Sequence, residues 1–117
     1  MTSSLRDKWV LITGASSGFG AAAAGAFAGQ GAKLLLGARR LDRLRKVAAE
    51  AAQAGTAAAH FHALDVGLTS SVDAFLAWAR EMISPQQPAS ARLDVLINNA
   101  GGAQGLDPVA QGKDEDW

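Results

Sequence analysis

The sequence predicts an α/β fold: a doubly wound parallel sheet of four strands in the order 3-2-1-4. Three features carry that expectation. Short apolar bursts recur along the chain, as in Val10-Leu11-Ile12, Leu34-Leu35-Leu36 and Val95-Leu96-Ile97. Longer segments with apolar residues at helical spacing lie between them. The first burst runs straight into a glycine-rich turn and an alanine-rich helix former. Strands alternating with helices of this length make β-α-β units. Right-handed crossovers then put the first two helices on one face of the sheet and the third alone on the other.

The chain is arranged around WVLITGASSGFG, residues 9–20. Trp9 to Ile12 is too short for a helix and suits a buried strand. Gly14 lets the chain turn off the strand, and Gly18 lets backbone approach a pyrophosphate where a Cβ would clash. Gly20 lets the helix sit close on the sheet. A strand, a glycine turn and a helix start together form an anion site, because the first helical N–H groups have no partner in the helix. The spacing is G-x-x-x-G-x-G rather than G-x-G-x-x-G, and no Gly-Lys-Ser/Thr ending suggests an ATPase-type phosphate loop. A glycine-rich turn with no ligand is the alternative for this stretch taken alone.

Composition narrows the classes. The 117 residues suffice for one modest domain, and 49% of them are apolar, enough for a packed core. Eleven basic and eleven acidic side chains cancel, which argues against a nucleic-acid or polybasic membrane partner. The chain has no cysteine, so it holds no disulfide frame or thiolate metal site, and a reducing cytoplasm suits it. The polar start, residues 1–8, and the brief apolar run after it read as neither signal nor membrane span. The two histidines do not form a zinc ligand set.

The first helix is expected over residues 18–30, stopping at Gly31 in a left-handed cap, with Phe27 as its one large anchor. Residues 33–37 read as the second strand. Leu41, Leu44, Val47, Ala48 and Ala51 give the second helix an apolar face that ends at Gly55, with Arg43, Arg45, Lys46 and Glu50 opposite. Residues 57–64 form a weaker third strand, with His60 and His62 on one face as half-exposed strand residues. Ser70 with Asp73 reads as a capping box opening a third helix, whose face is Val72, Phe75, Leu76, Ala79, Met82 and Ile83. Residues 84–92, with Pro85 and Pro88, connect to a fourth strand over 93–97. From Gly102 onward the chain is polar, without periodicity. In this order the loops after the strands gather at one edge, and the crevice between strands 1 and 4 is where open α/β sheets bind ligands.

Here the residues resemble a family. TGASSGFG (13–20), ARR (38–40), DV (65–66) and NNAG (98–101) are similar, in order and spacing, to the short-chain dehydrogenase/reductase family. The resemblance implies a Rossmann-like NADP-binding domain over residues 1–117, truncated relative to the family because only its N-terminal half is covered. The tail, residues 101–108 with Asp116 and Trp117, is weakly similar to the branch acting on 3-hydroxy acids and serine-like substrates.

The resemblance assigns cofactor contacts to Gly14, Ser16, Ser17, Gly18, Phe19 and Gly20 around the pyrophosphate. Asp65 and Val66 fall at the adenine, and Asn99, Ala100 and Gly101 beside the adenosine ribose. Asn98 serves the sheet more than the ligand. Asp65 also suits a strand-ending turn on its own account. Arg39 sets cofactor type. The NAD-type carboxylate position after the second strand is Ala38, and the guanidinium that follows it can fork onto a 2′-phosphate, so NADP(H) is expected over NAD(H). Arg40 joins the solvated basic face.

In the family, hydride chemistry relies on an Asn, a Ser and a Tyr-x-x-x-Lys pair. This sequence has no tyrosine. Two function classes follow: the cofactor-binding portion of an oxidoreductase for an alcohol/carbonyl pair, or a non-catalytic nucleotide-binding or interaction module. A downstream Tyr-x-x-x-Lys discriminates them. Self-association through the exposed edge of the fourth strand is expected.

Overall fold

Apolar runs with β-branched or leucine side chains and no helical period must bury both faces, which only the interior of a parallel sheet provides. A computed structural model describes residues 4–99 and shows this arrangement. Strands β1 (Trp9–Thr13), β2 (Lys33–Ala38), β3 (Ala58–Ala63) and β4 (Val95–Asn98) alternate with helices α1 (Gly18–Ala28), α2 (Leu41–Ala54) and α3 (Thr69–Ile83). All pairings are parallel and the strand order is β3-β2-β1-β4. Val10 sits in register with Leu34 on one side and Val95 on the other, so the two central strands share one apolar belt.

Alternation along each strand divides the core into two layers. Val10, Ile12, Leu34 and Leu36 face Ala24 and Ala28 of α1 and Leu44, Val47, Ala48 and Ala51 of α2. Leu11 and Leu35 face the other way, toward Phe75 and Ala79 of α3. Two helices thus cover one face and a single helix the other, as the crossovers require. Gly37 is the fitted point of the α3 layer: a Cβ there would lie 2.6 Å from Phe75 Cε1. His60 and His62 are half-buried on β3, against Trp9 and against Phe75 with Trp78 respectively.

Four expectations need correction. Helix α1 ends at Ala28 rather than at residue 30. Its C-cap Gly29 is right-handed, and the left-handed turn follows at Gly31 (φ 81°), which donates to Ala28 O. Ser70 and Asp73 form no capping box. Ser70 lies inside α3, whose N-cap is Leu68, a residue with no polar side chain to cap it; the neighbouring Ser71 hydroxyl accepts from the Asp65 N–H. Leu41 opens α2 at 43% exposure and contributes little to its buried face. Strand β4 begins at Val95, not Leu93, because the Asp94 carboxylate takes the Trp9 N–H at the start of the ladder. The second helix ends as expected, at a left-handed Gly55.

Candidate functional site at the crevice between strands 1 and 4

Strands β1 and β2 and helix α1 set the floor of the site. At the end of β1, Gly14 has φ 63°, a conformation that side-chain-bearing residues rarely adopt, and the chain turns there toward α1. Gly20 is buried where the helix meets this turn, and a Cβ on it would lie 2.3 Å from Gly14 O and 2.9 Å from Ala15 Cα. Backbone-to-backbone contact at that distance admits glycine alone.

Gly18 differs. Its φ is not positive, and a Cβ built on it meets no atom of the chain within 4 Å. Among the described residues neither internal packing nor backbone conformation requires glycine there, and the space in front of it is open. The Ser17 hydroxyl caps Gly20 N at 3.2 Å, while the N–H groups of Gly18 and Phe19 find no acceptor among the described residues. No acidic side chain occupies the first turn of α1, so its positive end faces the crevice uncompensated. Phe19, the second residue of α1, is 70% exposed.

The end of β4 closes the other wall. The Thr13 hydroxyl donates to Asn98 Oδ1 at 3.0 Å and accepts from the Asn99 N–H at 2.9 Å, so Asn98 is engaged in holding β4 to β1. The Asn99 side-chain amide reaches back to the turn, donating to Gly14 O at 3.3 Å and Ser17 Oγ at 2.9 Å. Sequence reasoning did not foresee this contact: its partners are 85 and 82 positions away, and no local pattern marks it. Ala100 and Gly101, along with the tail at 101–108 and Asp116-Trp117, lie outside the described residues.

The loops after β2 and β3 complete the edge. Arg39 is exposed and has no ion-pair partner among the described residues, whereas Arg40 leans on Asp42 at 3.6 Å. That exposed pair is screened by water and adds little stability. Asp65, half-buried, folds one carboxylate oxygen onto the Gly67 N–H at 2.9 Å, and its Oδ2 has no donor among the described residues. Val66 beside it packs on the α3 layer. Among the described residues no cluster of three acidic or histidine side chains could hold a metal ion, and no helix is long and apolar enough to cross a membrane.

An open parallel sheet with a glycine turn, an uncompensated helix start and a crevice at its strand ends is a nucleotide-type α/β site. The chain belongs to the short chain dehydrogenase family, which it matches over residues 8–117. It is 38% identical to serine 3-dehydrogenase of Agrobacterium fabrum over 109 residues, 92% of this chain and 39% of that enzyme. Among solved structures it is similar to a metagenomic short-chain oxidoreductase in complex with NADP, with TM-score 0.71 and 38% identity over 85% of this chain and 41% of that one. It is also similar to an NADH-dependent reductase complexed with NAD, with TM-score 0.71 and 30% identity over 87% of this chain and 39% of that one. The chain therefore spans well under half the length of the relatives it matches.

Proposed function

We propose that this chain is the NADP(H)-binding portion of a short-chain dehydrogenase/reductase acting on an alcohol/carbonyl pair. The observation that carries the reading is Gly18: a glycine that its own fold does not need, set before the unpaired N–H groups of α1 in the crevice between β1 and β4. A pyrophosphate fills such a cradle, bound by backbone N–H groups and by the positive end of the helix. The residues present fit the dinucleotide at its other points as well. Asp65 Oδ2, with no donor among the described residues, would accept from an adenine amino group, and the exposed Phe19 ring would supply an apolar contact.

Arg39 supports NADP(H) over NAD(H). It follows Ala38 where an NAD site needs a carboxylate for the ribose 2′-OH, and no acid of the described chain neutralises it. A guanidinium–phosphate contact contributes about 1.5–3 kcal/mol, or about one to two decades in affinity. Bound NADP(H) supplies or accepts the hydride. This chain's residues would hold its phosphates and keep the glycine turn closed. The relatives include NADP- and NAD-complexed proteins, so the choice rests on Arg39 and Ala38.

Calorimetric titration of the chain with NADPH tests the reading. Saturable binding that is lost in a Gly18→Asp variant of unchanged fold is expected, since a carboxylate in the cradle both fills it and repels phosphate. Binding that survives Gly18→Asp would place the cofactor elsewhere and overturn the proposal.

A further inference from the structure

The hydrogen bonds behind the glycine turn form a closed set. The Ser17 hydroxyl donates to Gly14 O at 2.9 Å and accepts from Gly20 N at 3.2 Å and from the Asn99 amide at 2.9 Å. A hydroxyl has one donor and two acceptor sites, so Ser17 has none left for a ligand. Gly14 O in turn receives the Ser17 N–H at 3.1 Å, the Ser17 hydroxyl, and the Asn99 amide at 3.3 Å. Facing a carbonyl and a hydroxyl already donating its proton, only the NH₂ end of Asn99 fits there. Ser16, by contrast, is half-buried with no hydrogen bond among the described residues.

The carbonyl of Gly14 matters because of where it points. It lies against the first turn of α1, within 2.3 Å of where a Gly20 Cβ would be. Rotated the other way, its negative end would face the cradle at Gly18 and oppose any phosphate there. Three donors hold it inward, and two of them depend on Ser17 and Asn99 side chains.

Resting on the function proposed above, we infer that Asn99 is a positioning residue. Its side-chain amide, acting through Ser17, keeps the Gly14 carbonyl turned away from the pyrophosphate, while Ser16 is the turn's side-chain contact to that phosphate. Asn99 thereby links the end of β4 to the anion site without touching the anion. Neither Asn99 nor Ser17 is a ligand contact on this account, although both lie in segments that line the crevice.

The test is NADPH affinity by calorimetry on the full chain, with thermal unfolding of every variant. Asn99→Ala and Ser17→Ala should each raise Kd roughly five- to tenfold. The double variant should be no worse than about twice the larger single effect, since both act on one carbonyl. Ser16→Ala combined with Asn99→Ala should instead multiply. Ser17→Thr, which keeps the hydroxyl, should restore affinity near that of the unsubstituted chain, and Asn99→Asp, which cannot donate, should be worse than Asn99→Ala. Should Asn99→Ala not fold, the exposed Ser17→Ala and Ser17→Thr pair decides the point. An unchanged Kd, or effects of Ser17 and Asn99 that multiply, would overturn the inference while leaving NADPH binding intact. Failure of the unsubstituted chain to bind NADPH would overturn the proposed function and this inference with it.

Discussion

Alanine at Gly18 and alanine at Gly20 should have opposite consequences, although the two glycines are two residues apart in one turn. At Gly20 the added methyl meets Gly14 O at 2.3 Å and Ala15 Cα at 2.9 Å, both backbone atoms that cannot rotate aside. Overpacking of this kind costs about 1–3 kcal/mol, and with no side chain to yield the upper end applies. At Gly18 the methyl meets nothing within 4 Å and φ is not positive, so the fold loses nothing. Removing a glycine's freedom from the unfolded chain even adds about 0.4–1 kcal/mol. In a domain of this size 1 kcal/mol moves Tm by about 4–8 °C. Gly20→Ala should therefore melt well below the unsubstituted chain, and Gly18→Ala at or slightly above it. NADPH affinity should reverse that ranking for Gly18→Ala, which keeps its fold and loses tenfold or more in Kd because the cradle is filled. Urea unfolding and calorimetric titration of the same preparations give both quantities. A Gly18→Ala protein that is destabilised like Gly20→Ala, or that binds NADPH unchanged, would refute the separation of fold glycine from ligand glycine.

Further outcomes follow from other parts of the structure. Arg39→Ala should weaken NADPH by about one to two decades and leave NADH unaffected, measured by parallel titrations. Phe75→Ala should destabilise by about 3–5 kcal/mol in urea unfolding, because its ring fills the layer over Gly37 and is fully buried. The outer edge of β4 has no strand beside it among the described residues, so the isolated chain should self-associate in sedimentation, and a dilute stable monomer would contradict that. The chain alone should not oxidise NADPH with aldehydes or keto acids. It has no tyrosine to deliver the proton, and His60 and His62 sit on β3, with β2 and β1 between them and the crevice.

The architecture was legible because its signals are local. Strands β1, β2 and β4 are short apolar runs, and Gly55 and Gly31 take the left-handed conformation that other residues avoid where the chain leaves α2 and α1. Given the order 3-2-1-4, the placement of two helices on one face and one on the other followed from crossover handedness. What failed was also local chemistry with two outcomes. A Ser-x-x-Asp pattern reads as a cap, yet here α3 begins at Thr69, one residue before the pattern, with Ser70 inside it and the apolar Leu68 as its N-cap. Leu41 has the right spacing for a buried face but lies on the first turn, beyond the sheet's cover. In the candidate site, the glycine turn itself could be found by motif. The Asn99 amide could not, because its partners belong to the first strand-to-helix turn and only the β1–β4 pairing brings them together.

The central claim is that this chain binds a phosphorylated nicotinamide dinucleotide, with the 2′-phosphate read by Arg39. Calorimetric titration of the unsubstituted chain with NADPH and with NADH under one buffer and salt condition tests it most directly. Saturable binding of both, with NADPH tighter by about one to two decades, is the predicted result; equal or tighter binding of NADH, or no binding of either, would contradict it.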